Sequence, residues 1–294
     1  MTHFDDLFWL VAVVDAGTLS AAAERHGVSG AAVSKRLRLL EQRLSVRLLE
    51  RNARRLRTTE AGEMYYRRGK RLLEAFAELE ENVSSTNELL RGTIRINSPH
   101  SFALLRLADP VATFMREHPE VNVQIHLDDS YIDINDSDYD IVIRIGKLED
   151  SSVVSRRVAS TSILCCASPE YLATYGEPLK PEELSDRDCL IYNQFYSWGF
   201  SKSGERQEVA MNGSVQSDNG QFLSLLAERG HGVILQPYFI VQSALERGSL
   251  TRILSDYHID EVGVYALYPS RQYLPQKIKR FVSHLKNVLS DQPA

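Results

Sequence analysis

Residues 26–41 read HGVSGAAVSKRLRLLE, and they join a tight turn to a short basic helix. Gly27 and Val28 predict the turn, and Ser29 is one of the residue types that most often cap the N-terminus of a helix. Apolar residues follow at steps of four, three and four, which is typical of a buried helix face: Val33, Leu37, Leu40 and Leu44. The stretch therefore predicts a capped helix with one face in a core and a basic face outside it.

Two further helices are predicted before this turn. The apolar residues between Phe4 and Gly17 recur at three- and four-residue steps, and Ser20 is placed to cap an alanine-rich helix over residues 21–26. A helix, a tight turn and a second helix form a helix-turn-helix, in which the second helix lies in the major groove of DNA. The N-terminal residues of that second helix then meet the edges of base pairs.

The outward face of the third predicted helix supplies the candidate contacts to DNA. These candidates are Ser29, Ala31, Ser34, Lys35, Arg36 and Arg38. Small side chains let the helix end approach the bases, the serine and lysine side chains offer donors to base edges, and the arginines are assigned to phosphates. A solvated amphipathic helix without a partner is the other interpretation of such a basic helix.

The segment that follows predicts a β-hairpin wing. Residues 47–62 read RLLERNARRLRTTEAG, and two short strands flank residues 52–55. Arg54 and Arg55 then lie at the tip of the hairpin, where arginine can enter a DNA minor groove. Thr59 is placed to cap the next helix.

Charge is divided unequally along the chain. The net charge is −5, yet residues 25–57 hold ten basic and two acidic residues, so this segment carries +8 and the remainder carries −13. A patch of one sign in a small domain attracts polyanions, and an acidic remainder reduces indiscriminate binding. The sequence predicts a basic DNA-binding head on an acidic body.

Composition limits the class of protein. The chain has 294 residues, 43% of them apolar, which predicts two or three folded units. No apolar run approaches the roughly 18 residues that span a bilayer, and the first residues, MTHFDDLF, carry aspartates where a signal peptide carries basic residues. Cys165, Cys166 and Cys189 are too few for a disulfide framework or a metal cage. We therefore expect a cytoplasmic protein without a membrane anchor, a bound metal or a cofactor.

Residues 60–90 predict one long helix, because they contain no proline and repeat apolar or small residues in a heptad pattern. We call these residues the heptad seam: Tyr65, Gly69, Leu72, Phe76, Leu79, Val83, Thr86 and Leu90. A helix about 45 Å long cannot bury such a seam alone, so it is expected to pair with the same helix of a second subunit. Packing of the helix on its own body is the alternative. A dimer predicts a DNA target with inverted symmetry.

From residue 92 onward, short strands alternate with helices. Strands are predicted at residues 93–97, 121–127, 141–145, 163–167, 190–192, 215–217, 233–235 and 262–267. A helix ending near His118 separates the first two strands, later helices begin near Pro169, Asn219 and Tyr238, and a last helix covers residues 275–289. This alternation predicts an α/β fold with a mostly parallel sheet covered on both faces.

Ligands in open α/β sheets bind beyond the C-terminal ends of strands, where helix N-termini offer free N–H groups. The candidate ligand-binding residues at these ends are Ser98, His100, Ser101, Phe102, Arg144, Asn193, Ser217 and Gln236. Phe195 and Trp198 are candidates for apolar walls. Ser98 as a helix cap and Arg144 in an ion pair are the structural alternatives. The arginine and helix ends favour an anionic ligand, and the aromatic residues favour a ring.

The segment over residues 19–62 resembles the winged helix-turn-helix of the LysR-type transcriptional regulators. The shared features are the Ala-Val-Ser of residues 32–34, the Leu-Glu of 40–41, the Leu-Leu-Glu-Arg of 48–51 and the Thr-Glu-Ala-Gly of 59–62. The likeness extends more loosely over the whole chain. Gly30 and Arg36 depart from it, since the family commonly has polar or glutamine residues there that help to read DNA.

This resemblance implies a winged helix-turn-helix over residues 1–59, a linker and dimerisation helix over 60–90, and an effector-binding domain over 91–294. It implies that this last domain has two Rossmann-like α/β lobes similar to a periplasmic binding protein, the first over residues 91–165 and 267–294 and the second over 166–266. It further implies a small-molecule effector between the lobes, homodimers or homotetramers on double-stranded promoter DNA, and contact with RNA polymerase. The predicted function is a sequence-specific transcriptional regulator controlled by that effector.

The sequence leaves three other functions to consider. Some LysR-type proteins sense oxidants through a cysteine pair, which here requires Cys189 to approach Cys165 or Cys166. An enzyme is disfavoured, because the sequence has no nucleophile elbow, Walker loop or dinucleotide fingerprint, and a Ser98–His100 pair lacks a third orienting group; no catalytic residue is predicted. A binding protein whose head contacts some other acidic partner is the remaining alternative.

Overall fold

The computed structural model describes residues 3–52, 55–84, 90–130, 132–134, 137–146, 154–269 and 274–290. Its contacts divide the chain into two compact units, residues 1–88 and residues 89–294, and each unit is described by itself. Helices and strands are numbered along the chain.

The first unit contains the predicted helix-turn-helix and wing. Its elements are helices α1 (His3–Ala16), α2 (Leu19–Arg25) and α3 (Gly30–Leu44), strands β1 (Leu49–Asn52) and β2 (Arg55–Thr58), and helix α4 (Glu60–Ser84). The predicted inward positions Val33, Leu37 and Leu40 are buried in a core with residues of α1 and α2, and Leu44 is half-buried. The spacing of apolar residues in α3 therefore predicted its buried face correctly.

The helix caps are partly as expected. Ser29 caps α3, since its hydroxyl oxygen accepts a hydrogen bond from the Ala32 N–H at 3.2 Å, and the Thr59 hydroxyl accepts from the Gly62 N–H at 3.0 Å. The expected cap at Ser20 was wrong. Thr18 caps α2, because its hydroxyl accepts from the Ala21 N–H at 3.1 Å and the helix already begins at Leu19.

A single carboxylate links α3 to the wing. Glu41 Oε1 accepts hydrogen bonds from the backbone N–H groups of Leu48 and Leu49, at 2.8 and 3.1 Å. These two residues are buried at the start of β1. The acidic residue of the Leu-Glu pair thus fixes where the hairpin begins relative to the recognition helix.

Part of the heptad seam on helix α4 packs against helix α1 of the same unit. Gly69 packs against α1 so closely that a Cβ atom there would lie 2.2 Å from Leu7 Cδ1, and the rings of Phe4 and Phe76 are 4.7 Å apart. Leu72 and Phe76 nevertheless remain 56% and 43% exposed. The alternative that this helix packs on its own chain is therefore confirmed in part, because α1 covers one side of the seam at Gly69 and Phe76. Pairing through the exposed part of the seam stays a prediction. Thr86 and the side chains of Leu79 and Val83 lie outside the described residues.

The first sheet of the second unit has the strand order β4-β3-β5-β14-β6. Its strands are β3 (Gly92–Ser98), β4 (Val121–Leu127), β5 (Ile141–Gly146), β6 (Val154–Thr161) and β14 (Val262–Tyr268). Strand β3 is parallel to β4 and β5, and β14 is antiparallel to β5 and β6. Four of the five strands run in one direction and β14 runs against them, so two of the four strand pairs are parallel and two are antiparallel. The prediction of a mostly parallel sheet is therefore confirmed only in part.

A long helix follows β3 and contains an irregular turn. Its parts are α5 (His100–Phe102), a π-helical turn (Ala103–Leu107) and α6 (Ala108–Glu117). Helix α10 (Gln276–Ser290) buries Ile278, Phe281 and Leu285 in the core of this lobe. Among the described helices none by itself is long and apolar enough to cross a membrane; α1 and α2 pass that test only jointly, across a bend of 112°.

The second lobe has its own strands and helices. They are β7 (Ile163–Ala167), α7 (Pro169–Tyr175), a 3₁₀ turn (Pro181–Asp186), β8 (Leu190–Tyr192), β9 (Ser197–Lys202), β10 (Glu205–Ala210), β11 (Val215–Ser217), α8 (Gly220–Glu228), β12 (Ile234–Pro237), α9 (Tyr238–Glu246) and β13 (Thr251–Arg252). Strand β7 is antiparallel to β12 and β13, and β8 is parallel to β11.

The crossing points between the lobes differ from the expected ones. Strand β6 lies in the first sheet and β7 in the second, so the chain crosses at Ser162 rather than between residues 165 and 166. Strand β14 lies wholly in the first sheet, so the chain returns before Val262 rather than near residue 267. The apolar run over residues 163–167 gave no sign of which sheet it joins, because a buried strand has the same pattern in either.

Candidate DNA-binding surface and effector cleft

The outward face of α3 is centred on four exposed side chains. Ala31, Lys35, Arg38 and Gln42 repeat at steps of four, three and four residues, and all four are exposed. Ser34 is half-buried beside this row. Gln42 was missed in the sequence, although it follows from the same spacing that identified the inward residues.

Two of the residues predicted to contact DNA already make contacts within the first unit. The Ser29 hydroxyl serves as the N-cap of α3. Arg36 is half-buried, and its guanidinium lies 3.9 Å from a carboxylate oxygen of Asp5 in α1, while Arg43 lies 3.6 Å from Asp6. The side of α3 next to α1 is therefore held by ion pairs, and the side centred on Lys35 faces solvent.

The wing is an antiparallel hairpin in which Leu49 pairs with Thr58 and Asn52 with Arg55. Arg54 and the side chain of Arg55 lie outside the described residues. Exposed basic residues are spread over α2, α3 and the wing: Arg25, Lys35, Arg38, Arg43, Arg47 and Arg57. This density of positive charge on a small unit attracts a polyanion.

In the second unit, the two lobes contact each other next to the crossing. The rings of Phe102 in α5 and Phe239 in α9 are 5.7 Å apart and meet edge to face. The Tyr238 N–H donates to the carbonyl of Ser162 at 2.9 Å. Phe102, with 2% of its surface exposed, thus contributes to the contact between the lobes rather than to an open wall.

His100 is oriented by a carboxylate that the sequence did not reveal. His100 Nδ1 lies 2.8 Å from Asp129 Oδ2, which also accepts the His100 backbone N–H at 3.4 Å. The fully buried Ser98 hydroxyl lies 3.3 Å from the Pro99 carbonyl oxygen. Pro99 is the N-cap of α5 and no side chain caps the helix, so the alternative that Ser98 is a cap was wrong.

Arg144 joins three parts of the first lobe. Its NH1 group donates to Asn97 Oδ1 at 3.0 Å and to the Ile143 carbonyl at 2.9 Å, and its NH2 group donates to the Ser130 carbonyl at 2.9 Å. The neighbouring Asp128 accepts the Ser130 N–H, which holds the pKa of that carboxyl below its usual range. Arg144 therefore positions the loop after β4.

The candidate residues of the second lobe lie at two strand ends and beside one helix. Asn193 has a left-handed backbone (φ 53°) and donates its N–H to the Ser217 carbonyl at 2.8 Å. Ser217 Oγ accepts from the Asn219 N–H, and Asn219 caps α8. Gln236 is 2% exposed, and its Nε2 has no hydrogen-bond partner among the described residues.

The aromatic walls differ from the expected ones. Trp198 is 4% exposed and lies in the core of the second lobe, so its assignment to the ligand site was wrong. Phe195 is 64% exposed and stacks parallel to Tyr192, with ring centroids 6.4 Å apart. Burial, together with the negative charges of Asp129 and Asp218, raises the pKa of Tyr192 to about 12. Tyr192 is thus the aromatic residue near Asp129 that sequence reasoning missed.

The three cysteines are buried thiols. Burial raises the pKa of Cys166 and of Cys189 to about 12, and it raises that of Cys165 well above its usual range. Cys189 Sγ lies 3.7 Å from the sulfur of Met211. Since the thiolate is the reactive form of cysteine, this environment does not favour oxidant sensing.

We expect the cysteines of the folded protein to resist alkylation by iodoacetamide at pH 8, because a thiol with a pKa near 12 is almost entirely protonated there. In denaturant, all three should react within minutes. Mass spectrometry of the alkylated protein measures both states. Rapid modification of any cysteine in the folded chain would contradict this account of the core.

Comparison with known proteins identifies the family. A model of the bacterial regulatory helix-turn-helix protein, lysR family, matches residues 4–63, and a model of the LysR substrate binding domain matches residues 87–290. An uncharacterized HTH-type transcriptional regulator of Haemophilus influenzae is 34% identical over 90% of this chain and 93% of its own.

Two further proteins are similar over nearly their whole length. The HTH-type transcriptional regulator PtxR of Pseudomonas aeruginosa is 30% identical over 99% of this chain and 94% of its own. The structure of CrgA, a LysR-type transcriptional regulator from Neisseria meningitidis, has a TM-score of 0.63 at 28% identity and covers 99% of this chain and 100% of that one. The chain belongs to the LysR family of transcriptional regulators, which combine a helix-turn-helix DNA-binding domain with a substrate-binding effector domain.

Proposed function

We propose that this regulator binds an inverted repeat in promoter DNA as a dimer or tetramer, and that a small molecule held between the lobes of its second unit controls transcription. The observation that carries the proposal is the exposed row Ala31, Lys35, Arg38 and Gln42 on a capped helix of a basic unit. Such a protein acts in the cytoplasm, where the bacterial chromosome lies, and contacts RNA polymerase from its promoter site.

We assign the DNA contacts by chemistry. Ala31, Ser34 and Lys35 meet base edges, and Ser29 brings the end of α3 close to them. Arg36 and Arg38 bind phosphates, with Arg36 sharing its guanidinium with Asp5. Arg54 and Arg55 enter a minor groove from the wing tip. A dimer formed through the exposed parts of the heptad seam, at Leu72 and Phe76, brings two α3 helices to one site.

Selection of bound duplexes from a random pool tests this proposal. We expect the full-length protein to recover a sequence with two inverted half-sites centred about 10 base pairs apart, or a multiple of that spacing, because each dimer presents two recognition helices. Recovery of a single asymmetric half-site would contradict the proposal that α4 pairs with the same helix of a second subunit. Recovery of no consensus would contradict sequence-specific binding itself.

We assign the effector cleft to Ser98, His100, Ser101, Phe102 and Arg144 of the first lobe and to Asn193, Ser217 and Gln236 of the second. Several of these groups are already bonded within the protein, so they shape the site: Arg144 through three hydrogen bonds and Phe102 through its contact with Phe239. The buried Nε2 of Gln236 offers a ligand an unused donor. Asp129 supplies the carboxylate that orients His100, a group that the sequence did not reveal. We nevertheless propose that the body binds its small molecule without converting it, since the fully buried Ser98 hydroxyl donates to the Pro99 carbonyl oxygen rather than to His100.

We expect Gln236→Leu to keep or slightly raise the melting temperature of the free protein, because it removes a buried donor that has no partner. The same variant should lose its response to ligand. A thermal-shift screen of the full chain against small aliphatic and aromatic carboxylic acids identifies compounds that raise the melting temperature of the unsubstituted protein. The melting temperature of the variant is then measured with each of these compounds. A marked fall in melting temperature would instead assign Gln236 a structural role, and an unchanged ligand shift would exclude it from the site.

A further inference from the structure

One large apolar side chain on α3, that of Leu39, is exposed to solvent. Leu39 is 50% exposed, although it lies in the helix whose other leucines at 37 and 40 are buried. Its neighbours one turn away are Lys35 and Arg36 on the N-terminal side and Gln42 and Arg43 on the C-terminal side. A single exposed leucine is common on protein surfaces and by itself marks no contact. The case for a contact at Leu39 depends on its position beside the outward row of α3.

The two flanks of Leu39 differ. On the side towards α1, Arg36 and Arg43 are held by Asp5 and Asp6, at 3.9 and 3.6 Å. On the other side Lys35 and Gln42 are exposed and belong to the outward row of the helix. Leu39 therefore borders the row that faces a nucleic acid in the proposed function, and the surrounding positive charge complements the charge of DNA.

The major groove offers one apolar group to such a side chain. Each thymine presents its C5-methyl group there, next to the hydrogen-bonding edges of the other bases, and apolar side chains read it by contact. Lys35 and Leu39 are four residues apart, which is about 6 Å along the helix axis. Successive base pairs are about 3.4 Å apart, so the two side chains reach positions within about two base pairs of each other.

We propose that Leu39 is a specificity-determining residue that reads a thymine methyl group, within about two base pairs of the base contacted by Lys35. This inference rests on the proposed function, since it requires α3 to lie in the major groove. In addition to the hydrogen bonds that α3 makes to base edges, the helix then makes one apolar contact, between the Leu39 side chain and a thymine methyl group.

The experiment uses the duplex recovered by selection from a random pool and the full-length protein. Each thymine in a half-site is replaced in turn by deoxyuridine, which removes only the methyl group. We expect one or two positions at which the Kd rises about 4-fold, the change that corresponds to about 0.8 kcal/mol per buried carbon. The affected position should lie within two base pairs of the position whose preference is lost in Lys35→Ala.

Two variants at one position assign the effect to Leu39. Leu39→Gln keeps a side chain of similar length but removes the apolar surface, so its Kd should no longer change when that thymine becomes deoxyuridine. Leu39→Met keeps an apolar side chain, so its Kd should still rise when that thymine becomes deoxyuridine. Met64→Gln is the matched control, because Met64 is 53% exposed in the same unit but lies on α4. When the thymine becomes deoxyuridine, the Kd of this variant should rise as much as that of the unsubstituted protein.

The outcomes separate this inference from the proposed function. If the protein selects a site but no deoxyuridine changes its Kd, or if Leu39→Gln keeps the full loss, Leu39 does not read a methyl group. If Leu39→Gln alters only the oligomeric state, this face contacts a second copy of the chain and the inference is wrong. If the protein selects no site at all, the proposed function fails before Leu39 is tested.

Discussion

The double substitution Lys35→Ala, Arg38→Ala is expected to weaken binding to the selected DNA site about 100-fold. A good contact between a side chain and a base contributes about 1–3 kcal/mol, and loss of a phosphate contact adds to this. Both side chains are exposed, so their removal leaves the core of the first unit unchanged. Fluorescence anisotropy with a labelled duplex at one fixed salt concentration measures the change.

A matched control separates specific contacts from overall charge. Lys180 and Lys286 are exposed residues of the second unit, so Lys180→Ala, Lys286→Ala removes the same charge from the chain but leaves the first unit unchanged. We expect this variant to keep the Kd of the unsubstituted protein within about 2-fold, since neither lysine belongs to the unit assigned to DNA binding. Equal losses in the two double variants would mean that binding depends only on net charge.

The substitution Gly62→Ala is expected to unfold the first unit. A Cβ atom on Gly62 would lie 1.8 Å from the carbonyl oxygen of Leu48 and 2.7 Å from its carbonyl carbon. Backbone atoms cannot rotate away as a side chain does, so the start of the wing must move. Leu48 is also held through its N–H by Glu41 of α3, so this shift disturbs the recognition helix. We expect a loss of about 3 kcal/mol or more in the free energy of unfolding, together with loss of DNA binding.

Gly30→Ala is the control for this prediction, because a Cβ atom on Gly30 meets no atom within 4 Å. Alanine also favours the first turn of α3, so the melting temperature should stay the same or rise slightly. Thermal denaturation followed by circular dichroism, with DNA binding measured on the same samples, compares the two variants. Equal melting temperatures for Gly62→Ala and the unsubstituted protein would contradict the close packing of α4 on the wing.

Much of the first unit could be predicted because its signals are local. The spacing of Val33, Leu37 and Leu40 identified the buried face of α3, and Ser29 identified its start, since both patterns depend on helix geometry alone. The cap of α2 was misplaced because Thr18 and Ser20 have the same chemistry two residues apart. The sequence also could not show that α1 covers Gly69 and contacts Phe76, because such packing depends on how distant helices meet.

The effector cleft was harder to predict for the same reason. The residues at the strand ends stay a predicted ligand site, because the strand pattern shows where each strand ends but not which side chains meet there; the partners of each side chain come from other parts of the chain. His100 is bonded to Asp129, and Arg144 to Asn97 and Ser130, pairings that no local pattern contains. The hairpin of β9 and β10 was also missed, although the left-handed Ser203 and Gly204 at its turn form a recognisable signal.

The most direct test of the central claim is a competition between the selected site and a scrambled duplex of equal length for the purified full-length protein in about 150 mM salt. The claim is that the exposed face of α3 lies in the major groove, where Lys35 reads base edges. It predicts that the protein prefers the selected site by about 1000-fold or more, and that Lys35→Ala reduces this ratio while leaving binding to the scrambled duplex almost unchanged. Equal affinity for both duplexes, or a preference that Lys35→Ala does not alter, would contradict it.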